Sequence, residues 1–253
     1  MKGVSSKDEL GRLAGVLNQM MDRLESSFSQ MKRFSADASH ELKTPLAVMQ
    51  GKIEAALQDH DERSEHDTLL VDLLDRVGQL RSIIDSLLML SRSDAGSLII
   101  EKQKLDLSDL MSEIVEDAEV IAAEEGISFQ SENGSPGFVV NGDERLLRLA
   151  ISNLLTNATK YNLSEGGKII SELKNTENAY QISISNTGPA IEDEIKEKIF
   201  ERFYRVDTAR GPGKSGFGLG LSLARVIATA HGGELILSSS EEGINCFVMT
   251  LLK

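Results

Sequence analysis

The chain has 253 residues, with 27 lysines and arginines against 40 aspartates and glutamates, which gives a net charge of −13 at pH 7. This acidic balance argues against a nucleic-acid-binding protein, because phosphate contacts need clustered Lys and Arg. The length allows one large core or two smaller ones. The single cysteine, Cys246, cannot form an internal disulfide, so a reducing compartment is expected. No window approaches about 18 uninterrupted apolar residues and no signal peptide opens the sequence, so we expect no membrane span within it.

The first ninety or so residues predict long helices. One apolar run has the three- and four-residue spacing of a coiled-coil seam, and its members are Leu10, Leu13, Leu17, Met20 and Leu24. A second run repeats the spacing with Leu70, Leu73, Val77, Leu80, Ile84 and Leu87. The polar stretch 58–67 between them suits a connection between antiparallel helices. Because a two-helix hairpin has no core of its own, we expect a homodimer in which two hairpins form a four-helix bundle.

A histidine lies on the solvent side of the first hairpin helix. His40 is two positions from both Ala38 and Leu42, which belong to the apolar stripe, and two helical steps turn the ring away from that stripe. Glu41 is adjacent, and Thr44 lies one turn further on the same face. An exposed imidazole on a rigid helix, next to a carboxylate and a hydroxyl, suits proton or group transfer. An ordinary solvated histidine is the alternative interpretation.

Beyond Gly96 the pattern changes to alternating strands and helices. Short segments rich in β-formers predict strands over 98–102, 127–131, 137–140, 168–173, 180–185, 234–238 and 245–251. Helices are predicted over 108–124, 143–161 and 219–231. The expected outcome is a mixed sheet covered by helices.

The helix predicted after Asp143 carries two amides and a lysine on one face. Asn153, Asn157 and Lys160 fall within about 60° of one another, away from the apolar residues of that helix. An amide oxygen is a hard ligand for Mg²⁺, and a lysine supplies positive charge to phosphates. A merely solvated polar face is the alternative, but such a face would show more Glu and Lys than Asn.

A glycine-rich segment precedes the last predicted helix and contains Gly216, Gly218, Leu219 and Gly220. Backbone amides in such a segment can approach phosphate at a helix N-terminus. A dinucleotide fingerprint is excluded because position 221 is Leu, and a Walker loop is excluded because position 208 is Thr. The preceding stretch 201–212 is cationic and turn-rich, as a lid over a triphosphate would be. Arg205, Arg210 and Lys214 are candidate phosphate contacts.

The order and content of these blocks resemble the sensor histidine kinases of two-component signalling. The stretches that carry the resemblance are Ser39 to Leu46, Asn153 to Tyr161, Ser185 to Ile191 and Gly216 to Leu221. The resemblance implies an all-α antiparallel helical hairpin that forms a dimeric four-helix bundle, followed by an α/β (α+β) sandwich. That sandwich is the ATP-binding domain of the GHKL or Bergerat type, which Hsp90-type and MutL-type ATPases share.

The resemblance also implies roles for individual nucleotide-site residues. It makes Asn157 the principal Mg²⁺ ligand with Asn153 in support, and it places Lys160 and Tyr161 in contact with ATP. Most members carry Asp where this chain has Asn186, shortly before Gly188. An amide oxygen can accept the hydrogen bond of the adenine amino group as a carboxylate does, without the charge.

The implied activity is that of an ATP-dependent protein-histidine kinase. His40 attacks the γ-phosphate while Glu41 takes or orients the other ring proton, and the phosphoryl group then passes to an aspartate of a response regulator. Thr44 resembles the residue that orients water for the reverse phosphatase reaction. Two other classes stay open: a GHKL-type ATPase that does not phosphorylate itself, and a catalytically silent dimeric scaffold.

The domain organisation follows from the same resemblance. Residues 1–27 resemble the end of a HAMP linker, residues 28–96 the dimerisation and phosphotransfer hairpin, and residues 97–253 the catalytic ATP-binding domain. The chain is therefore expected to be the cytoplasmic portion of an inner-membrane receptor, linked to the membrane only through a segment outside this sequence.

Overall fold

The computed structural model describes Gly15, Leu42 and residues 45–53, 63–132, 137–206, 217–241 and 243–253, with the backbone alone for 63–70 and 241. The predicted site residues that lie outside these ranges are His40, Glu41, Thr44, Arg210, Lys214 and Gly216. Apart from Gly15, the HAMP-like residues 1–27 also lie outside them. No described helix is both long and apolar enough to cross a membrane. The chain divides into two compact units, Met1–Arg81 and Ser82–Lys253.

The first unit contains described residues of both helices of the predicted hairpin. Residues 45–53 are helical, and helix α1 (Arg63–Asp94) begins in this unit. Lys52 and Asp72 form an ion pair, so the two helical stretches lie side by side. The prediction of a connection over 58–67 is wrong at its end, since α1 already begins at Arg63. Polar residues there do not stop a helix, because Arg and Glu are good helix formers.

The second unit is an α/β sandwich. Its strands are β1 (Gln103–Asp106), β2 (Ser128–Glu132), β3 (Val139–Gly142), β4 (Lys168–Asn175), β5 (Ala179–Thr187), β6 (Glu234–Glu241) and β7 (Ile244–Leu252). Its further helices are α2 (Leu107–Glu124), α3 (Glu144–Lys160) and α4 (Gly220–Ala230). The main sheet has the order β2-β4-β5-β7-β6 and is mixed, because β2 runs parallel to β4 while the other pairs are antiparallel. Strands β1 and β3 pair separately.

Alternation along the strands places the core on one face of the main sheet. In β5 the inward residues include Ile182 and Ile184, and in β7 they include Phe247 and Met249. The helices cover this face with the apolar stripe of α3, namely Leu147, Ala150, Ile151, Leu154 and Leu155, and with Leu223, Ala224 and Ile227 of α4. The inward residues of the strands, which recur with a period of two, and the apolar stripes of the helices, which recur with a period of 3.6, therefore pack in one core.

The predicted strand over 98–102 is wrong. Pairing starts only at Gln103, where β1 meets β3, and Ile99 is 80% exposed. Residues 98–100 have the composition of a strand, but no partner strand lies beside them among the described residues. The segment is held instead by the Glu101 N–H, which donates to the Asp143 carboxylate at 3.1 Å.

Asp143 and His231 together fix the beginning of α3. The Asp143 carboxylate accepts from the Leu146 N–H at 3.1 Å as the N-cap. The Asp143 N–H in turn donates to Nε2 of His231 at 3.0 Å, while Nδ1 of the ring donates to the Ile227 carbonyl at 2.8 Å. His231 is only 8% exposed, and burial lowers the pKa of its ring, with Lys102 acting in the same direction. A neutral ring therefore joins the end of α4 to the start of α3.

Stability is expected to fall as the pH drops below about 6.5. Because the pKa of His231 is lower in the folded protein, the unfolded chain binds a proton more readily, and acid favours unfolding in the window between the two pKa values. The stabilisation is complete above that window. Thermal unfolding measured at about pH 7.5 and about pH 5.5 tests this. His231→Gln should flatten the pH dependence, whereas His60→Gln, in the predicted polar connection, should not; equal slopes in all three proteins would contradict the assignment.

Candidate functional site

The polar face of α3 borders two neighbouring cavities. One has a volume of about 280 Å³, and the other has a volume of about 200 Å³. Asn157 and Tyr161 line both cavities, together with Ile199, Tyr204 and Leu221. The end of α3 therefore lies where the two cavities meet.

The larger cavity is mainly apolar, with a few polar groups. Its apolar wall includes Ile191, Ile195, Ile199 and Phe247, and its polar groups include Asn186 and Asn245. We refer to it as the base cavity. Such walls with a few placed polar groups suit a flat heteroaromatic ring.

The side chain of Asn186 has a defined orientation in the base cavity. This residue is 4% exposed, and its Nδ2 donates to the Thr187 carbonyl at 2.8 Å. An amide turned the other way would place Oδ1 against that carbonyl, so Oδ1 remains as an acceptor. An uncharged acceptor is therefore held at the position that the sequence predicts for adenine recognition.

Asn245 is a cavity residue that the sequence interpretation missed. Its Nδ2 donates to the Pro189 carbonyl at 3.1 Å, and its Oδ1 accepts from Ser240 Oγ at 2.5 Å. Ser240 Oγ also accepts from the Ile191 N–H at 2.5 Å. These bonds hold segment 188–191, which forms part of the cavity wall, to strands β6 and β7. The strand alternation contains the signal, because Asn245 occupies an inward position in an otherwise apolar series.

The smaller cavity, which we call the phosphate groove, carries most of the other predicted residues. It is lined by Asn153, Asn157, Lys160, Tyr161, Gly218, Leu219 and Gly220. Among the described residues, Nδ2 of Asn153 is buried without a hydrogen-bond partner. A buried donor of this kind is costly unless a ligand satisfies it. The groove therefore offers an unused donor beside the cation of Lys160.

Tyr161 lies between the groove and the base cavity as a protonated phenol. Burial raises the pKa of its hydroxyl, and the nearby Arg205 guanidinium offsets part of this effect. The Lys160 ammonium lies 5.0 Å from the centre of the Tyr161 ring. Arg205, which the sequence predicts as a phosphate contact, lines the base cavity.

Two glycines of the site are required by close backbone approach. Gly218 has a φ of +68°, and a Cβ there would lie 2.7 Å from the backbone carbon of Phe203. A Cβ on Gly188 would lie 2.6 Å from the Tyr161 carbonyl oxygen. The Phe203 N–H also donates to the Gly218 carbonyl at 2.9 Å, which ties segment 201–204 to the glycine-rich segment. Side chains at these positions would displace the backbone that forms the groove.

The end of α1 forms one wall of the phosphate groove, which the sequence interpretation did not predict. Ser82, Ile83 and Ser86 line the groove within the second unit. Eight residues past Ser86, Asp94 receives two hydrogen bonds from the Arg202 guanidinium, at 2.6 Å and 2.7 Å. The heptad spacing that predicts α1 marks its apolar residues but not which of them meet the groove.

Two known families match successive parts of the chain. Residues 30–96 match the His Kinase A (phospho-acceptor) domain. Residues 142–253 match the family described as histidine kinase-, DNA gyrase B- and HSP90-like ATPase. The cavities described above belong to the second of these regions, apart from the wall contributed by α1. An ATP-binding domain therefore follows a phosphoacceptor domain.

The chain is similar in sequence to curated sensor histidine kinases. It is 32% identical to the sensor histidine kinase CusS of Escherichia coli K12 over 96% of this chain and 50% of that protein. It is 34% identical to the signal transduction histidine-protein kinase BaeS of the same strain, over 94% of this chain and 50% of BaeS. The chain thus spans about half the length of these curated relatives.

Solved structures share the fold. The Acinetobacter baumannii histidine kinase AdeS superposes with a TM-score of 0.68 at 21% identity, over 84% of this chain and 97% of that one. The histidine kinase ThkA in complex with response regulator protein TrrA gives a TM-score of 0.63 at 23% identity, over 98% of this chain and 68% of that one. The catalytic domain of ThkA superposes with a TM-score of 0.53 at 28% identity, over 60% of this chain and 98% of that one.

Replacing Gly218 with alanine should weaken ATP binding by at least about tenfold, which corresponds to about 1.4 kcal/mol. The new Cβ would lie 2.7 Å from the Phe203 backbone carbon, so the backbone of Phe203 or that of Gly218, which lines the groove, must shift. Gly126→Ala is the matched control: its φ is +71°, but no atom lies within 4 Å of the added Cβ. The control should lose about 1 kcal/mol of stability and keep its affinity. Calorimetric titration with Mg·ATP measures the affinity of each variant, and thermal unfolding measures its stability. Equal affinities in the two variants would contradict the role of Gly218.

Proposed function

We propose that this chain, which belongs to the sensor histidine kinases of two-component signalling, is an ATP-dependent protein-histidine kinase that phosphorylates itself on His40. The observation that carries the proposal is the joining of two cavities at the end of α3, one apolar with a fixed amide acceptor and one polar with glycine walls. This arrangement suits a nucleotide with its base in one cavity and its phosphates in the other. The preceding phosphoacceptor domain supplies the group to be modified.

The residues present fit ATP as the substrate. Asn186 Oδ1 offers an acceptor for the adenine amino group, because the Thr187 carbonyl occupies Nδ2. The unpartnered Nδ2 of Asn153, the ammonium of Lys160 and the backbone around Gly218 and Gly220 suit the phosphates. The absence of charge on Asn186 leaves one neutral hydrogen bond where an ionised acceptor would give a stronger one.

The residues also fit a magnesium ion at the junction of the two cavities. Asn157 lines both cavities, and the oxygen of its amide is a hard ligand of the kind that Mg²⁺ prefers. We assign Asn157 as the protein ligand and Asn153 as its support. When bound, the ion supplies positive charge to the phosphate oxygens, while Lys160 adds a second cation from the protein.

The proposed reaction is an in-line phosphoryl transfer. A neutral ring nitrogen of His40 forms a bond to the γ-phosphorus of ATP as the bond to the bridging oxygen breaks and ADP leaves. Glu41 takes or orients the proton on the other ring nitrogen. The chain contributes positioning and charge neutralisation, which are the main sources of acceleration in phosphoryl transfer.

The proposal extends to partners and place of action. Val71, Leu74 and Val77 form an exposed apolar stripe on α1, and pairing of two hairpins in a homodimer would cover it.

The second substrate is a response-regulator aspartate, supported by the likeness to a kinase solved with such a regulator. Thr44 is assigned to water orientation in the reverse phosphatase reaction. The likeness of residues 1–27 to a HAMP linker supports a role as the cytoplasmic portion of an inner-membrane receptor.

Replacing His40 with glutamine should abolish labelling by γ-labelled ATP and leave nucleotide affinity within about twofold, because His40 lies in the region that matches the phosphoacceptor domain, whereas the proposed nucleotide contacts lie in residues 142–253. The label on the wild-type chain should be acid-labile and base-stable, as expected for a phosphohistidine. His66→Gln serves as the control and should label normally. Hydrolysis of ATP without any protein-bound label would favour the ATPase alternative, and a protein that binds ATP but neither hydrolyses it nor becomes labelled would favour the silent scaffold.

Replacing Asn157 with alanine or aspartate should remove activity but keep the melting temperature within a few degrees, about the change produced by 1 kcal/mol or less. The packing of α3 uses its apolar face, whereas Asn157 lines the cavities. Leu154→Ala, one turn away on the buried face, should instead lower the melting temperature strongly. Autophosphorylation and thermal unfolding of the three variants decide the matter: a strong loss of stability at Asn157 would make it a structural residue.

A further inference from the structure

Asn162 lies just after the end of α3, and every hydrogen-bonding group of its side chain has a partner. The residue is 7% exposed. Its Nδ2 donates to the Ala158 carbonyl at 3.0 Å and to the Lys168 carbonyl at 3.2 Å. Its Oδ1 accepts from the Leu163 N–H at 2.9 Å and from Thr187 Oγ1 at 2.5 Å. This amide is therefore fully satisfied within the protein and lines neither of the two cavities.

The partners of Asn162 belong to the elements that carry the two halves of the site. Ala158 is in the last turn of α3, next to Asn157. Thr187 follows Asn186 at the end of β5, and its hydroxyl also accepts from the Lys168 N–H at the start of β4 at 2.8 Å. A continuous chain of bonds thus runs from the Asn186 amide through the Thr187 residue and Asn162 to the turn that holds Asn157.

The fit around Asn162 is also steric. A Cβ on Gly167 would lie 2.8 Å from Asn162 Oδ1 and 2.8 Å from the Leu163 carbonyl oxygen. The loop before β4 therefore packs directly on the amide. Because the space is filled and the bonds are all made, the end of α3 has one position relative to the end of β5.

We propose that Asn162 is a positioning residue for the nucleotide, setting the separation between the phosphate groove at Asn157 and the base acceptor at Asn186. This proposal rests on the proposed function, since it presumes that one ligand occupies both cavities. A ligand that occupies both the phosphate groove and the base cavity binds well only if both are correctly placed at once. If one of them is displaced, its hydrogen bonds to the ligand are lost. A ligand confined to the base cavity does not depend on this separation.

The test compares ATP with adenosine on the full chain. Asn162→Ala should weaken Mg·ATP binding by about tenfold, as expected for a shifted polar contact, while adenosine affinity changes by less than about twofold. The matched control is Thr176→Ala, at the opposite end of the β4–β5 hairpin, where Thr176 Oγ1 donates to the Ala179 carbonyl at 2.7 Å. This control removes a hydrogen bond from the turn that joins the same two strands and should leave both affinities unchanged.

Two further variants distinguish positioning from general loss of stability. Asn162→Asp keeps the two acceptor roles but lacks the donors to Ala158 and Lys168, so it should bind ATP no better than Asn162→Ala. Thr187→Val removes the hydroxyl and leaves the other three Asn162 bonds, so it should also weaken ATP binding with adenosine binding preserved. Since the two variants share the loss of the bond between Thr187 Oγ1 and Asn162 Oδ1, the effect of combining Asn162→Ala with Thr187→Val should be less than the sum of the two.

The outcomes are separable. Unchanged ATP affinity in Asn162→Ala, an equal loss for ATP and adenosine, or an equal loss in Thr176→Ala would each overturn the positioning role. Should Asn162→Ala not fold, Thr187→Val decides alone: preserved ATP affinity there overturns the proposal, and a loss confined to ATP supports it. A wild-type chain that does not bind Mg·ATP would instead refute the proposed function itself.

Discussion

The nucleotide site depends on one constraint: helix α3 must bury one face against the sheet while its other face lines both cavities. Seven of its seventeen residues are buried, and all seven are apolar. A buried leucine or isoleucine contributes about 1.5–3 kcal/mol, so the packed face determines how the helix is rotated. Asn153, Asn157 and Lys160 contribute little to that packing, and their orientation is a consequence of it. A helix rotated by one residue, about 100°, would bury these amides and expose the leucines.

The rotation of α3 does not determine its position along its own axis. Hydrogen bonds at its two ends determine that position. At the start, Asp143 caps the helix and its N–H donates to a neutral His231 from the end of α4. Beyond the end, the Asn162 amide binds a carbonyl of the last turn and one of β4. Buried polar groups are expensive when left unpaired, so each bond limits sliding of the helix along its axis. The core thus sets the rotation of α3, and the polar ends set its axial position.

The sequence predicts the elements well and the contacts less well, for physical reasons. Periodicity marks α3 to within one residue, because the helix has a clear apolar stripe and a capping Asp143. It places a strand at 98–102 in error, because apolar composition says nothing about whether a partner strand is available. Asn153, Asn157 and Gly218 can be predicted as cavity residues, since amides on one helical face and a glycine before a helix are local signals. Asn162 and Asn245 cannot be predicted in this way, because their roles depend on partners distant in sequence.

An ion pair and apolar burial both hold the wall that α1 contributes to the phosphate groove, and the two differ in the free energy that they contribute. The Arg202–Asp94 pair has ideal two-bond geometry, yet Asp94 is largely exposed, and such surface pairs contribute about 0–1 kcal/mol. Ile83, in contrast, is 1% exposed and borders the groove, and a fully buried isoleucine contributes about 1.5–3 kcal/mol. Apolar burial therefore holds this part of α1 in place, and the ion pair refines it. Because Ser82, Ile83 and Ser86 precede residues 142–253, which match the ATPase family, the shape of the phosphate groove depends on residues outside that region.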